Sequence, residues 1–384
     1  MKKTLLLFAA MFAGIGLTTA QTLSIPDVYV PQGGKASFGL VVDVPANSYA
    51  GFQFETTLPT GITYTEETTV SSAWDGTFQT SSVNFHGSAS SGKLTPIPAG
   101  EFVIATAEIT ADGGLALGTY SVTISNFEFL GYSGGAEDTK IADVTFNVIV
   151  TDGLVLDEAS VAAPSAASGV NVKVKRTIKA GEWSTICLPF DMTKEQVYNI
   201  FGDDVKIYYF DSYVTEKNGS DITGITVNLE EDDLSEGFTK NYPYVIKTTK
   251  NITEFNIDNV DVDPDAIDEV YKPSKKVLGH IYGTYEANTI VPENNLFLAD
   301  GKFYYSKGLT KMKAFRCYFD FVDVLSSVSG SPAPVFINID GETTGIQNIQ
   351  IAGDDRYYNL NGQHVENLKK GQIYIKNNKK VVVK

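Results

Sequence analysis

Residues 35–57 read KASFGLVVDVPANSYAGFQFETT, and the fold class turns on them. Phe38, Leu40, Val42 and Val44 recur at every second position. After Pro45 and a short polar stretch, Phe52 and Phe54 recur in the same way, with Gln53 and Glu55 between them. A period of two puts alternate side chains on opposite faces of a strand, so this is two half-buried β-strands and a loop, not an amphipathic helix.

The same period continues outward. Tyr120, Val122 and Ile124 form one set, and Val144, Phe146, Val148 and Val150 another. Gly, Asn and Pro turns separate the runs every 8–12 residues, the spacing of an antiparallel sandwich. The expected fold class is all-β. Residues 21–152 form a jelly-roll-type β-sandwich, and 153–169, rich in Ala and Ser, a linker. Residues 170–340 form a second β-rich domain with one short helix, and 341–384 a small tail of β-hairpins. The helix is MTKEQVYNIFG: Thr193 caps it, Gln196 completes a capping box and Gly202 ends it. Asp300-Gly301, Asn361-Gly362 and Asn377-Asn378 are expected hairpin turns.

Residues 1–20 read as a secretory signal peptide. Lys2 and Lys3 precede an apolar run from Leu5 to Leu17, and Thr18-Thr19-Ala20 offers a small-residue cleavage site. The run is too short to span a bilayer, which takes about 20 residues, so the chain is not expected to be an integral membrane protein. Cleavage after Ala20 leaves 364 of 384 residues and moves the formal net charge from −16 to −18. Such a charge excludes nucleic acid, whose phosphates require a basic face. The expected location is outside the cell or on its surface.

Catalytic motifs are missing. His86, His280 and His364 fall in three different expected domains, which excludes a His-based triad or His-rich metal site. Asp261, Asp263 and Asp265 alternate as in a calcium loop, but Ala266 and Lys272 stand where Gly and Glu are needed. No cofactor and no metal is expected, and the chain is not expected to be an enzyme. A glycan hydrolase needing only two carboxylates is the residual catalytic alternative.

A sugar ring is recognised by an aromatic face flanked by hydrogen-bonding groups. The Ser-rich stretch SSAWDGTFQTSSVNFHGSASSG supplies the candidates Trp74, Asp75, Phe78 and His86. The alternative is that Trp74 plugs the sandwich core; Trp183, before the strand-like STICLPF, is expected to be core. Cys187 and Cys317 sit in apolar contexts. They form either one disulfide in an oxidising compartment or two buried small hydrophobes.

Two resemblances extend this reading. VPQGGKASFGLVVDVPANSYAGFQFETTLPTGITY resembles the opening of domains of the cohesin and carbohydrate-binding-module superfamily, in which an aromatic-alternating strand leads to a P-x-G-[IV] turn. That resemblance implies a nine-stranded jelly roll and a partner that is either a polysaccharide or a surface protein. The tail YYNLNGQHVENLKKGQIYIKNNKKVVVK carries six Lys and one Glu. It resembles a shortened type IX secretion sorting domain through Tyr358, Leu360, Gly362, Val365, Lys370, Gly371, Tyr374 and Ile375. It implies an exported surface protein of a Gram-negative bacterium. The functional expectation is a non-catalytic surface binding protein, the alternative an adhesive or matrix-like structural component.

Overall fold

A computed structural model describes residues 21–70, 74–80, 84–89, 95–219, 221–265, 268–270, 280–321, 335–339 and 342–344. It also describes the short segments 357–358, 364–365, 373–376 and 379–382. The expected signal peptide, Lys272, and the turn residues Asn361, Gly362, Asn377 and Asn378 lie outside the described residues. The chain divides into two compact units, Met1–Val150 and Thr151–Lys384. No described helix is long and apolar enough to cross a membrane.

Unit 1 is built from β1 (Thr22–Ser24), β2 (Val28–Pro31), β3 (Lys35–Val44), β4 (Gly51–Thr57), β5 (Ile62–Val70), β6 (Gly76–Thr80), β7 (Asn84–Ala89), β8 (Gly100–Ala111), β9 (Gly118–Leu130), β10 (Thr139–Lys140) and β11 (Val144–Thr151). One sheet has the order β1-β3-β8-β5. The other runs β2-β11-β9-β4-β7-β6, with β10 beside β9. Phe38, Leu40, Val42, Phe52, Phe54, Val122, Ile124, Phe146 and Val148 all point into one apolar core, as their alternation requires.

One local departure shapes that core. Gln53 pairs with Glu128, but Glu55 pairs with Ser125, so Asn126 and Phe127 oppose a single residue. Asn126 takes φ 52°, the left-handed conformation Asn tolerates, and this β-bulge reverses the inward parity of β9. Even-numbered Val122 and Ile124 are buried before it, odd-numbered Phe127 and Phe129 after it. The switch brings Phe127 against Phe52 and Phe54, with ring centroids 5.9 and 5.5 Å away.

Unit 2 begins with β12 (Leu154–Asp157), β13 (Ala167–Lys175), β14 (Trp183–Ile186), α1 (Lys194–Phe201), β15 (Lys206–Asn218), β16 (Asp221–Glu231), β17 (Tyr244–Lys247) and β18 (Phe255–Val262). It continues with β19 (Asp268–Val270), β20 (His280–Thr284), β21 (Thr289–Val291), β22 (Leu296–Ala299), β23 (Lys302–Tyr305), β24 (Thr310–Met312), β25 (Arg316–Asp320), β26 (Val335–Ile339) and β27 (Glu342–Thr344). Its sheets are β12-β13-β18, β14-β17-β15-β16-β26-β27, β19-β20-β25-β22-β23 and the pair β21-β24. The first three share a core in which Phe190, Phe201, Phe238, Phe303, Phe315, Phe319 and Phe321 are fully buried, and the pair β21-β24 packs on Phe297 in a smaller cluster through Val291 and Met312.

The expected helix is present as read. Thr193 Oγ1 accepts the Gln196 N–H, the Gln196 side chain accepts the Thr193 N–H, and Gly202 closes the C-terminus. Val197 and Phe201, one turn apart, bury the inner face. Thr193→Ala is expected to cost about 1 kcal/mol. In thermal denaturation this is a fall of roughly 2–4 °C, absent in Thr193→Ser. The Asp300-Gly301 turn is also as expected: Ala299 pairs with Lys302, and both turn residues have positive φ, 47° and 70°.

The segment 153–169 is not a linker. Residues Leu154–Asp157 form β12, which pairs in parallel with β13, and Glu158, Val161 and Ala162 are buried. The Ala-rich composition that suggests flexibility here fits small side chains into unit 2. Glu342–Thr344, expected in the tail, pair with β26. Beyond them β28 (Tyr357–Tyr358), β29 (His364–Val365), β30 (Ile373–Lys376) and β31 (Lys379–Val382) form a four-stranded sheet, order β29-β28-β30-β31. Lys376 opposes Lys379 in the pairing of β30 with β31.

Candidate binding face

The expected aromatic sugar site does not assemble at the surface. Trp74 is only 3% exposed and Phe78 7%. The Trp74 ring packs 6.1 Å from Phe52, and its Nε1–H donates to the Thr95 carbonyl at 3.1 Å. Phe78 lies 5.5 Å from the same Phe52 ring. Gly76 permits this arrangement, since a Cβ there would stand 2.5 Å from the indole. Only a residue without a side chain lets the ring fold back beneath the start of β6. Asp75 is exposed. The His86 backbone sits between Gln53 and Gln79 in the sheet register; its side chain is outside the described residues. Two of the four candidates are therefore core residues: the apolar drive to bury large rings wins over display.

Trp183, expected in the core, is half-buried. It meets Tyr208 edge-on at 5.3 Å, and Lys247 Nζ lies 5.0 Å above its ring. Asp261 accepts the Gly169 N–H at 2.8 Å, and Asp263 pairs with Lys240 at 2.7 Å. These two carboxylates thus serve the fold. Among the described residues no group of three or more His, Cys, Asp or Glu is placed to hold a metal ion.

What unit 1 does display is a polar face. The inward parity of β4, β9 and β11 forces the intervening residues outward, where they cross-link neighbouring strands. Gln53 Nε2 donates to Glu128 Oε2 at 2.8 Å, and Asn126 Nδ2 to Glu55 Oε2 at 3.0 Å. Thr123 and Thr145 share a hydrogen bond of 3.2 Å, and Asn147 Nδ2 donates to Asp27 Oδ1 at 3.0 Å. Lys140 stands opposite Glu128 in the register. The face carries three carboxylates, Asp27, Glu55 and Glu128, against this one ammonium. The amides, carboxylates and hydroxyls named are each held by a neighbour, so that part of the pattern is fixed before any ligand arrives. The face offers hydrogen-bond acceptors and negative charge, and Leu117 is the one large apolar side chain of unit 1 more than half exposed among the described residues.

Gln53 and Glu55 were legible as outward residues from the alternation. Asn126 and Glu128 were not, because the bulge that places them depends on the partner strand.

No family model matches the chain, and no curated protein matches it. Among solved structures it is similar to the seventh ScaB type I cohesin of Pseudobacteroides cellulosolvens. That likeness has 13% identity and a TM-score of 0.28, over 34% of this chain and 93% of that one. It is also similar to a non-cellulosomal cohesin of Archaeoglobus fulgidus, at 14% identity and TM-score 0.27, over 34% of this chain and 91% of the other. A third is the cohesin of the Coh-OlpA-Doc918 complex of Clostridium thermocellum, at 10% identity and TM-score 0.30, over 35% of this chain and all of that one.

Proposed function

We propose that the chain is a non-catalytic, exported surface protein whose N-terminal sandwich recognises a protein partner through the outward face of β4, β9 and β11. The observation that carries this is the exchange of roles between aromatic and polar residues. Trp74 and Phe78, which would stack on sugar rings, are spent on the core, while Gln53, Glu55, Asn126 and Glu128 stand outward in a hydrogen-bonded array. Such a face matches a partner surface that brings Lys or Arg to Glu55 and Glu128, and charge complementarity of this kind sets specificity and association rate. A polysaccharide has no charge to offer it unless modified, and the outward residues named on β4, β9 and β11 are polar, not aromatic. Export rests on residues 1–20 and on the lysine-rich tail.

The full-length Glu55→Lys/Glu128→Lys protein tests the reading. Both side chains are at the surface, but the change removes the Gln53 and Asn126 hydrogen bonds and sets a lysine opposite Lys140. Stability should therefore fall by about 1–2 kcal/mol, and both proteins are compared well below their melting temperatures. Wild type is expected to retain a basic partner from the exported fraction of the producing cells, with affinity falling as salt rises. The double variant should bind it at least tenfold more weakly, and neither protein should be retained on a glycan array. Equal retention by both proteins, or wild-type binding to a neutral glycan, would count against the proposal.

A further inference from the structure

Unit 2 brings its two cysteines together in its core. Cys187 continues the line of β14, in the six-stranded sheet, and Cys317 lies in β25, in the five-stranded sheet. Thr185 joins the two segments. Its Oγ1 accepts the Cys317 N–H at 3.0 Å and its hydroxyl donates to the Cys317 carbonyl at 3.3 Å. The Cys187 N–H reaches the Phe315 carbonyl at 3.4 Å. This pairing puts both thiols, unbridged in the structure, in one core cluster, close enough to influence each other's titration. They are 0% and 1% exposed. Tyr285 approaches Cys187 Sγ at 3.5 Å through its hydroxyl, and that hydroxyl also donates to Asn241 Oδ1. No metal-holding group surrounds the pair among the described residues.

We propose that Cys187 and Cys317 are a structural disulfide that staples the two sheets of unit 2 and closes while that unit folds. The oxidant is a disulfide-bearing protein or small molecule of the exported compartment. One cysteine thiolate attacks the oxidant's S–S bond, forms a mixed disulfide and releases one oxidant thiol. The second cysteine thiolate then attacks the mixed disulfide, the Cys187–Cys317 bond forms, and the second oxidant thiol leaves. The two protons lost by the cysteines end on the two released thiols, and the two electrons reduce the oxidant.

Timing follows from burial. No oxidant reaches either sulfur once the core has closed. In the folded reduced protein, burial raises the Cys317 thiol well above its ordinary range, while the contact with Cys317 lowers that of Cys187. It is therefore the burial of both sulfurs, not the lack of a thiolate, that stops exchange. Oxidation must therefore precede the final docking of β25 on the β14 segment. The closed loop spans α1 and β15–β24, a length for which a cross-link restricts the unfolded chain strongly. The inference is independent of what unit 1 binds.

The test compares full-length protein recovered from the exported fraction with the same chain, without residues 1–20, made in a reducing cytosol. Each is denatured in iodoacetamide and its intact mass measured before and after reduction. The exported monomer should take up no alkyl group until reduced, and then two. The cytosolic protein should take up two at once. Oxidised wild type should melt about 5–10 °C above both its reduced form and a Cys187→Ala/Cys317→Val protein. Two alkylatable thiols in the exported protein, a disulfide-linked dimer, or equal melting of oxidised and reduced forms would overturn the proposal.

Discussion

Glu158→Gln is expected to lower the stability of unit 2 by about 3–5 kcal/mol. Glu158 is the single carboxylate facing three cations. Its side chain is 6% exposed and meets Arg176 at 3.4 Å, Arg316 at 2.9 Å and Lys313 at 2.9 Å. Arg176 is fully buried, and its remaining donors go to the carbonyls of Thr177, Thr185 and Phe315 and to Ser184 Oγ. A neutral amide keeps the shape but leaves three positive charges with no counter-charge, one of them in the core. Removing one partner from a buried pair costs far more than the pair contributes when intact. Glu158→Ala should be no milder.

The pH dependence of the same site is fixed in sign. Burial alone would raise the Glu158 carboxyl. The Lys313 hydrogen bond and the charges of Arg176, Arg316 and Lys313 outweigh it and hold the group below its ordinary value. A carboxyl lowered on folding contributes stability that is fully present above the unfolded value, about 4.3, and is lost as pH falls through the folded one. Wild type should therefore lose stability on acidification below about pH 4. The part of that loss due to Glu158 should be missing in Glu158→Gln, which is already destabilised at neutral pH. Urea midpoints from pH 3 to pH 7 measure both effects.

Trp74→Ala is expected to destabilise unit 1 by about 3–5 kcal/mol, a fall in Tm of roughly 10–20 °C. The indole fills space beside Phe52 and satisfies the Thr95 carbonyl, so truncation leaves both a cavity and an unpaired acceptor. Gly76→Val attacks the same packing from the other side, because its Cβ would meet the ring at 2.5 Å. If Trp74 were instead a ligand platform, both substitutions would spare Tm. Recovery of the stability in Trp74→Phe, partial because the Nε1 donor is gone, separates packing from the hydrogen bond.

These residues mark what the sequence shows and where it stops. Period-two patterning identifies the strands and most inward residues of unit 1, because one buried face imposes that period directly. The helix boundaries at Thr193 and Gly202 were legible because capping is local, within a few residues. Trp74 shows the limit: W-D-G reads either as a turn carrying a displayed ring or as a plug of the sandwich core, and only the close approach allowed by Gly76 decides that the ring turns inward. The segment 153–169 shows another. Glu158's partners Lys313 and Arg316 are 155 and 158 positions away, so nothing nearby distinguishes it from a solvated linker. The outward array at Asn126 and Glu128 was hidden for a third reason, since a bulge is a property of two strands.

The exchange of the aromatic site for a polar face is tested most directly by the fluorescence of Trp74. The chain has two tryptophans, so Trp183→Phe leaves Trp74 as the sole indole. The full-length Trp183→Phe protein should emit at the short wavelengths of a buried indole. It should resist quenching by acrylamide and be unchanged by a panel of soluble polysaccharides. Long-wavelength, easily quenched emission that shifts when a polysaccharide is added would contradict the account and return the binding site to the Trp74 loop.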